Sequence, residues 1–411
     1  MSVPRDVRIT DVRVATLVGV PFRSTILRLE TNVGVSGYGE VRDGASRNYV
    51  LMLKRRLLGQ NPLDISAVFE RVRQFGYHGR QGGGVSAVDM ALHDLAGRLL
   101  EVPAYMLLGG RFRDRVRCYA DTPTCSDPAE LAEHLLARRA AGFTFLKMDL
   151  GVNLLWDVPG ALIAPYGARN DRNTMHPYAG IQLTEAGIAF LVDHVRTVRD
   201  TIGYDIPLAV DHVGHIAVDS CLRLGRALEP FTLAWLEDLV PWQLTGQWRQ
   251  LTEAFTTPTA TGEDIYGREG FKPLVEAEAI RIIHPDPATS GGLAETKRIG
   301  DYAAERGIGM ALHMAASPVA TLAATHIAAA TASFLALEFH SFDVPNWSGL
   351  VTGLPNPLVE QGFIAVPDTP GLGFEGLDLD VISGFLDPEE PGLFEPTDEW
   401  DREPVNDRLW S

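Results

Sequence analysis

The first forty or so residues alternate between apolar and polar positions. The stretches 6-DVRITDVRVATL-17 and 25-TILRLETNVGVSGYGEV-41 place an apolar side chain at every second residue, the signature of half-buried strands. Thr31-Asn32-Val33-Gly34 supplies a turn inside the second stretch. From about Ala45 to Leu108 the period lengthens to that of helices. In 85-VSAVDMALHDLAGRLLEV-102, Val88, Leu92, Leu95 and Leu99 fall on one helical face, and Gly109-Gly110 then stops the pattern. Residues 1–115 therefore read as a small α+β unit.

Beyond Arg117 short apolar runs alternate with amphipathic segments. Strands are expected at 116-VRCYA-120, 143-FTFLKMD-149, 206-IPLAVD-211, 232-TLAWLE-237, 258-PTATGE-263, 280-IRIIHPD-286, 308-IGMALH-313 and 334-FLALE-338. The segments 221-CLRLGRALEP-230, 294-AETKRIGDYAAERG-307 and 317-SPVATLAATHIAAAT-331 read as helices. Tandem βα units of this kind close into a barrel over residues 116–345. The expected fold class is α/β, a modified (β/α)8 TIM barrel with an N-terminal α+β capping domain. The connection from residue 150 to about 183 is long for a compact barrel, which marks it as functional. Residues 346–411, rich in Pro, Gly, Asp and Glu, are expected to return toward the capping domain.

The expected strands end in Asp211, Glu237, Glu263, Asp286, His313 and Glu338, about 25 residues apart, the length of one βα unit. One carboxylate at a strand end is ordinarily a helix cap. Six polar ends in register on buried strands form a ring at the mouth where barrel active sites sit. Asp211, Glu237 and Glu263 come from consecutive strands and would repel one another without a cation. Their all-oxygen set suits a hard ion, Mg²⁺ before Mn²⁺ or Ca²⁺. His212 and His215 stand close to the first of them. Asp286 beside His313 would orient the ring and raise its basicity, giving a general base. Lys147 and Asp149 alternate onto one face at the end of the second strand. Lys147 is either a base with a lowered pKa near a divalent ion or simply a partner of Asp149.

Composition narrows the partners. The 411 residues carry a net charge of −17, which argues against a nucleic-acid partner, and no apolar run is long enough for a membrane span. The N-terminus MSVPRDVRIT lacks a hydrophobic signal region, and Cys118, Cys125 and Cys221 are too few and scattered for a disulfide framework. A cytoplasmic protein, commonly a homo-oligomer, is the expectation.

Taken together, 210-VD-211, 235-WLED-238, 262-GED-264, 285-PDPATSGGLAE-295, 311-ALHMAASP-318 and 86-SAVDMALHDLAGR-98 with Leu107-Leu108-Gly109-Gly110 make the chain resemble the mandelate racemase subgroup of the enolase superfamily over nearly its whole length. The resemblance implies a capping domain over the barrel, Mg²⁺, and removal of a proton next to a carboxylate. It also implies that Glu338 hydrogen-bonds the substrate carboxylate. Within the subgroup the long loop, 233-LAWLEDLVP-241 and Trp410 are most similar to mannonate dehydratase-like enzymes of acid sugars. The chain departs from these patterns. Mandelate racemase-like members end strand two in Lys-x-Lys, where this chain has Lys147-Met148-Asp149. Mannonate dehydratases have arginine at the Lys147 position and histidine at the Val213 position. Tyr166 or Tyr178 of the long loop could take the role of those enzymes' tyrosine base. The resulting expectation is a Mg²⁺-dependent acid-sugar dehydratase. His313, oriented by Asp286, would serve one face of the substrate, and Lys147, a loop tyrosine or His215 the other. Arg23 and Arg47 would make polar contacts from the capping domain. A racemase or epimerase working through the same enediolate, and a catalytically silent metal-binding regulator, are the rival expectations.

Overall fold

A computed structural model describes residues 6–165, 180–214, 216–390 and 392–402. The alternating N-terminal stretches form an antiparallel sheet of three strands, Ile9–Leu17, Ser24–Thr31 and Gly37–Val41. The helical region resolves into short pieces and one long helix, Gly82–Leu100. The expected stripe is there, with Val88, Leu92 and Leu95 fully buried, but Ser86, Asp89, His93 and Asp94 are buried too. The helix is enclosed because it lies between the capping sheet and the barrel. Its polar residues serve that position: Ser86 Oγ accepts from Gly291 N at 3.0 Å and Asp89 Oδ1 from Leu293 N at 2.6 Å. Gly39 permits the contact with the sheet, since a Cβ there would lie 2.0 Å from the Ala87 carbonyl oxygen.

Eight parallel strands follow: Arg115–Ala120, Leu146–Asp149, Leu208–Asp211, Leu236–Glu237, Thr259–Thr261, Ile282–Ile283, Gly309–Leu312 and Phe334–Phe339. The last pairs with the first, Leu337 opposite Cys118 and Glu338 opposite Tyr119, so the barrel is closed. The strands sit where the apolar runs place them, but several are shorter, leaving Glu263, Asp286 and His313 just beyond the ladder. Helices Pro128–Ala140, Glu185–Ile202, Val218–Leu228, Thr245–Ala254, Gly267–Glu276, Gly292–Ala304 and Pro318–Ala330 pack outside. The long connection after the second strand begins as a 3₁₀ turn, Val152–Leu155, and a two-stranded ribbon of Leu162–Ile163 with Gln182–Leu183. Among the described residues no helix is long and apolar enough to cross a membrane.

The final segment first stays on the barrel, where Phe363–Ala365 pairs antiparallel with Arg115–Arg117. It then reaches the capping sheet, with Leu386 bridging to Leu17 and Leu393 to Ala15. The cap is also held through Glu40. Its carboxylate accepts from Ser24 Oγ, from Ser317 N and Oγ, and from Ala320 N, which satisfies the N-terminus of helix Pro318–Ala330. Strand alternation puts Val41 into the cap core and Glu40 and Arg42 toward the barrel.

Candidate active site

Inside the barrel, Tyr119, Phe145, Ala209, Trp235, Ala260, Ile282, Ala311 and Ala336 form one buried layer, a residue in or immediately before each strand. The period of two then dictates what stands above it. Two positions on from seven of these residues lie Asp121, Lys147, Asp211, Glu237, His284, His313 and Glu338; Gly262 fills the eighth position, and Glu263 follows it. The apolar layer is the floor of the site, and the polar layer lines its mouth. Asp121 and His284, which the strand ends do not reveal, follow from this rule.

Lys147 lies at the centre of the polar layer. Its Nζ is 2.7 Å from Asp211, 2.6 Å from Glu338 and 3.4 Å from Glu237. Burial alone would lower the ammonium's pKa, but these carboxylates outweigh it and hold the pKa well above the ordinary value. The lowered pKa expected of a lysine base is therefore not found without a metal. Nor is Asp149 the partner of Lys147; its carboxylate accepts from Thr124 Oγ1 at 2.7 Å. Burial and the nearby Asp121 raise the Asp149 pKa to about 6.

Backbone geometry gathers further acids. His212 (φ 58°) and Asp238 (φ 49°) follow Asp211 and Glu237 in the left-handed region, which non-glycine residues adopt at a cost. That turn breaks the alternation and brings Asp238 into one cluster with Asp211 and Glu237. Glu237 and Glu263 cluster in turn with His284. Burial, then the charges of Asp211 and Glu338, push the Glu237 carboxyl well above the usual carboxylate range in spite of Lys147. Asp238 is raised likewise, by burial and then by Glu263 and Asp211. Glu237 Oε1 and both oxygens of Glu338 are buried without a hydrogen bond of good geometry. The protein alone does not hold this many negative charges in one place. A hard divalent cation fits the oxygen-rich donor set and would take up the charge. Trp235 Nε1 donates to Glu237 Oε2 at 2.8 Å and fixes its orientation.

His313 Nδ1 lies 2.6 Å from Asp286 Oδ2, and its Nε2 lies 3.3 Å from Glu263 Oε2. Asp286 also caps the turn Pro287–Ser290 by accepting from Ala288 N, so the ordinary role of a strand-end carboxylate and the dyad coexist in one residue. A third partner comes from the cap. Arg42, only 2% exposed, places Nη1 2.5 Å from Asp286 and 2.8 Å from His313 Nδ1, and Nη2 3.1 Å from Glu263. Arginine only donates, so the His313 nitrogen is contested between accepting from Arg42 and donating to Asp286. Arg42 was missed because a lone arginine after a capping strand carries no pattern; only the parity it shares with Glu40 points inward.

His340 is a second imidazole at the mouth. Its Nδ1 is 3.1 Å from Asp121 Oδ2 and its Nε2 3.2 Å from Glu338 Oε1. His212 is half-exposed, 3.9 Å from Asp149. The charge of Asp211 raises its pKa to about 9 against the effect of burial. The expected sugar contacts Arg23 and Arg47 are engaged elsewhere. Arg23 pairs with Asp387 at 2.5 Å and Glu390 at 3.2 Å, and Arg47 faces Glu390 at 3.8 Å. The acidic returning tail neutralises both, which residue type alone did not disclose. His215, Tyr166 and Tyr178 lie outside the described residues.

A capped barrel whose mouth gathers carboxylates, a lysine and an imidazole–carboxylate pair defines a metal-assisted acid–base enzyme. Residues 4–109 match the mandelate racemase/muconate lactonizing enzyme N-terminal domain, and residues 130–379 match the enolase C-terminal domain-like family. The chain is 35% identical to the D-xylonate dehydratase of Haloferax volcanii over 391 residues, covering 93% of this chain and 90% of that protein. It is 28% identical to the D-galactonate dehydratase of Ralstonia nicotianae, over 87% of this chain and 89% of that protein. It is also 28% identical to the D-gluconate dehydratase of Thermoproteus tenax, over 85% of this chain and 67% of that protein. A mandelate racemase/muconate lactonizing enzyme-like protein from Rubrobacter xylanophilus superimposes with a TM-score of 0.83 at 30% identity, covering 96% of this chain and all of that one. The chain belongs to the mandelate racemase/muconate lactonizing enzyme family of the enolase superfamily.

Proposed function

We propose that the protein is a Mg²⁺-dependent dehydratase of aldonic acids, converting an acid sugar to a 2-keto-3-deoxy acid and water. The observation that supports this reading is a chain of acids, Asp211 beside Glu237 and Glu237 beside Glu263, at the mouth that also holds the Asp286–His313 pair and Glu338. The chain's relatives are named for dehydration of such acids. The names are D-xylonate, D-galactonate and D-gluconate, which differ from the mannonate suggested by the long loop. All three acids share one configuration at C2 and C3, so one arrangement of acid and base serves them.

The metal, held by Asp211, Glu237 and Glu263, would supply positive charge where the substrate carboxylate gains negative charge on deprotonation. The Lys147 ammonium positions the substrate carboxylate; burial alone would raise the Glu338 carboxyl, but Lys147, His313 and His340 hold it well below the usual range, so Glu338 acts as the anion that orients that ammonium. His313 moves a proton at C2 or at the 3-hydroxyl, with Asp286 and Arg42 fixing its ring. Loss of the C2 proton gives an enediolate, the C3–O bond breaks with water as the product, and the enol tautomerises. The racemase reading needs a second base of comparable strength to His313, and the relatives' names, all of dehydratases, favour loss of water over return of the proton.

The test is a screen of Mg²⁺-loaded protein against D-xylonate, D-galactonate, D-gluconate and the C2 epimer D-mannonate, reading 2-keto-3-deoxy product. Turnover of at least one of the first three is expected. Turnover of none, with epimerisation of any, would replace dehydration by racemisation.

A further inference from the structure

We propose that His340, oriented by Asp121, is the second acid–base residue of the site and gives its proton to the departing 3-hydroxyl. This inference rests on the dehydratase reading and assigns the proton donor that the reading requires.

Of the imidazoles in the polar layer, His284 has both ring nitrogens engaged, by Glu237 and by Tyr119 at 2.6 Å each, whereas His313 and His340 are each backed by a carboxylate at Nδ1. His313 has Asp286 behind Nδ1, and His340 has Asp121 behind Nδ1 at 3.1 Å. Their Nε2 atoms turn to opposite oxygens of Glu338, at 3.8 Å from Oε2 and 3.2 Å from Oε1. The ring centroids are 5.9 Å apart, a spacing that suits groups acting on adjacent carbons of one substrate. His340 Nε2 is buried and makes no hydrogen bond of good geometry, and neither do the two oxygens of Glu338. An imidazole whose Nδ1 faces one carboxylate and whose Nε2 is turned toward Glu338, 3.2 Å away, holds its proton at the edge of the substrate space and is poised to donate at Nε2.

Burial alone would keep His340 neutral; Asp121 and Glu338 overcome it and raise the pKa to about 9, so the ring carries the proton to be given. Lys147, the other cation beside Glu338, is already held by Asp211 and Glu338. Phe22 of the capping domain meets the His340 ring edge-on at 5.7 Å.

The step balances. His313 Nε2 takes the C2 proton and the C–H electrons form the enediolate. Those electrons close the C2=C3 bond as C3–O breaks, and the His340 proton leaves with the hydroxyl as water. The other reading of His340 is a strut that steadies Glu338.

The test compares His340→Asn with wild type, both Mg²⁺-loaded, on whichever panel acid the wild type dehydrates and on its 3-deoxy-3-fluoro analogue. Fluoride leaves without a proton. A kcat loss of about 10²–10³-fold on the hydroxy acid, with fluoride release within about tenfold of wild type, is expected. Asp121→Asn should show the same contrast more weakly, and stands in should the first variant fail to fold. Equal losses on both substrates in either variant would make His340 a strut and overturn the proposal. So would an unchanged kcat on the hydroxy acid. A wild type inactive on the whole panel would instead fail the dehydratase reading.

Discussion

Replacing Arg42 by methionine keeps an unbranched apolar stem and removes the guanidinium with its charge and its five donors. The guanidinium is nearly sealed from solvent and faces Asp286 at 2.5 Å, His313 at 2.8 Å, Asp43 at 2.8 Å and Glu263 at 3.1 Å. Hydrogen bonds to charged groups contribute about 1.5–3 kcal/mol each, but their sum overstates the loss because they share one group. The better guide is the cost of leaving a buried charge without its partner, about 3–5 kcal/mol. Asp286 loses its guanidinium counter-charge and keeps His313 and the Ala288 N–H, which places the loss toward the lower end of that range. Part of that loss appears as stability. The rest appears as disorder of the His313 ring, where a misplacement of about 1 Å costs on the order of 10²-fold in rate. Steady-state kinetics should therefore show kcat lower by about 10²–10³-fold, with a much smaller change in KM, and urea unfolding a reduced midpoint. Arg42→Lys should recover part of the stability and little of the rate, because one ammonium cannot reach both Asp286 and Glu263 in fork geometry. An Arg42→Met enzyme with kcat within twofold of wild type would refute the view that the cap completes the His313 site.

Other perturbations test separate parts of the account. Lys147→Met should lower the melting temperature of metal-free protein, where Asp211, Glu237 and Glu338 then face one another unscreened; Mg²⁺ should restore most of the loss, and an equal deficit with and without Mg²⁺ would contradict this. Glu40→Ala strands the N–H groups of Ser317 and Ala320 inside the cap–barrel contact and should cost about 2–4 kcal/mol in urea unfolding. His326, fully buried and accepting from Tyr105 N, has its pKa lowered by burial to about 4. The unfolded chain protonates this ring near pH 6.5 and the folded chain only near 4, so stability should fall as pH drops through that interval, by about 3 kcal/mol in full. His326→Asn should reduce the slope by that share, with His284, its pKa also lowered by burial to about 4, keeping the rest; a variant with the full wild-type slope would show that His326 does not contribute. His313→Asn should abolish turnover and leave Mg²⁺ binding, followed by calorimetry, within a few-fold of wild type.

The barrel was legible because its strands are apolar runs of one length at one spacing, and closure follows from their number. The carboxylates proposed to hold the metal were legible for the same reason, since an acid at the end of a buried strand has few other uses. His284 and Asp121 were hidden by a choice of reference. Counting from strand ends selects Asp286 and Ala120, whereas counting two residues on from the inner apolar layer selects the side chains that reach the mouth. Asp238 could not be read from alternation because its left-handed backbone cancels the alternation. Arg42 and the engagement of Arg23 and Arg47 depend on contacts across more than two hundred residues, with Asp286 in one case and the tail in the other. No local pattern encodes these.

The most direct test of the central claim is proton NMR of the Mg²⁺-loaded enzyme with D-xylonate in D₂O. The account predicts loss of the C2 proton signal together with growth of a 2-keto-3-deoxy acid carrying solvent deuterium at C3. Deuterium entering C2 of an intact or epimerised acid, with no keto acid formed, would contradict it.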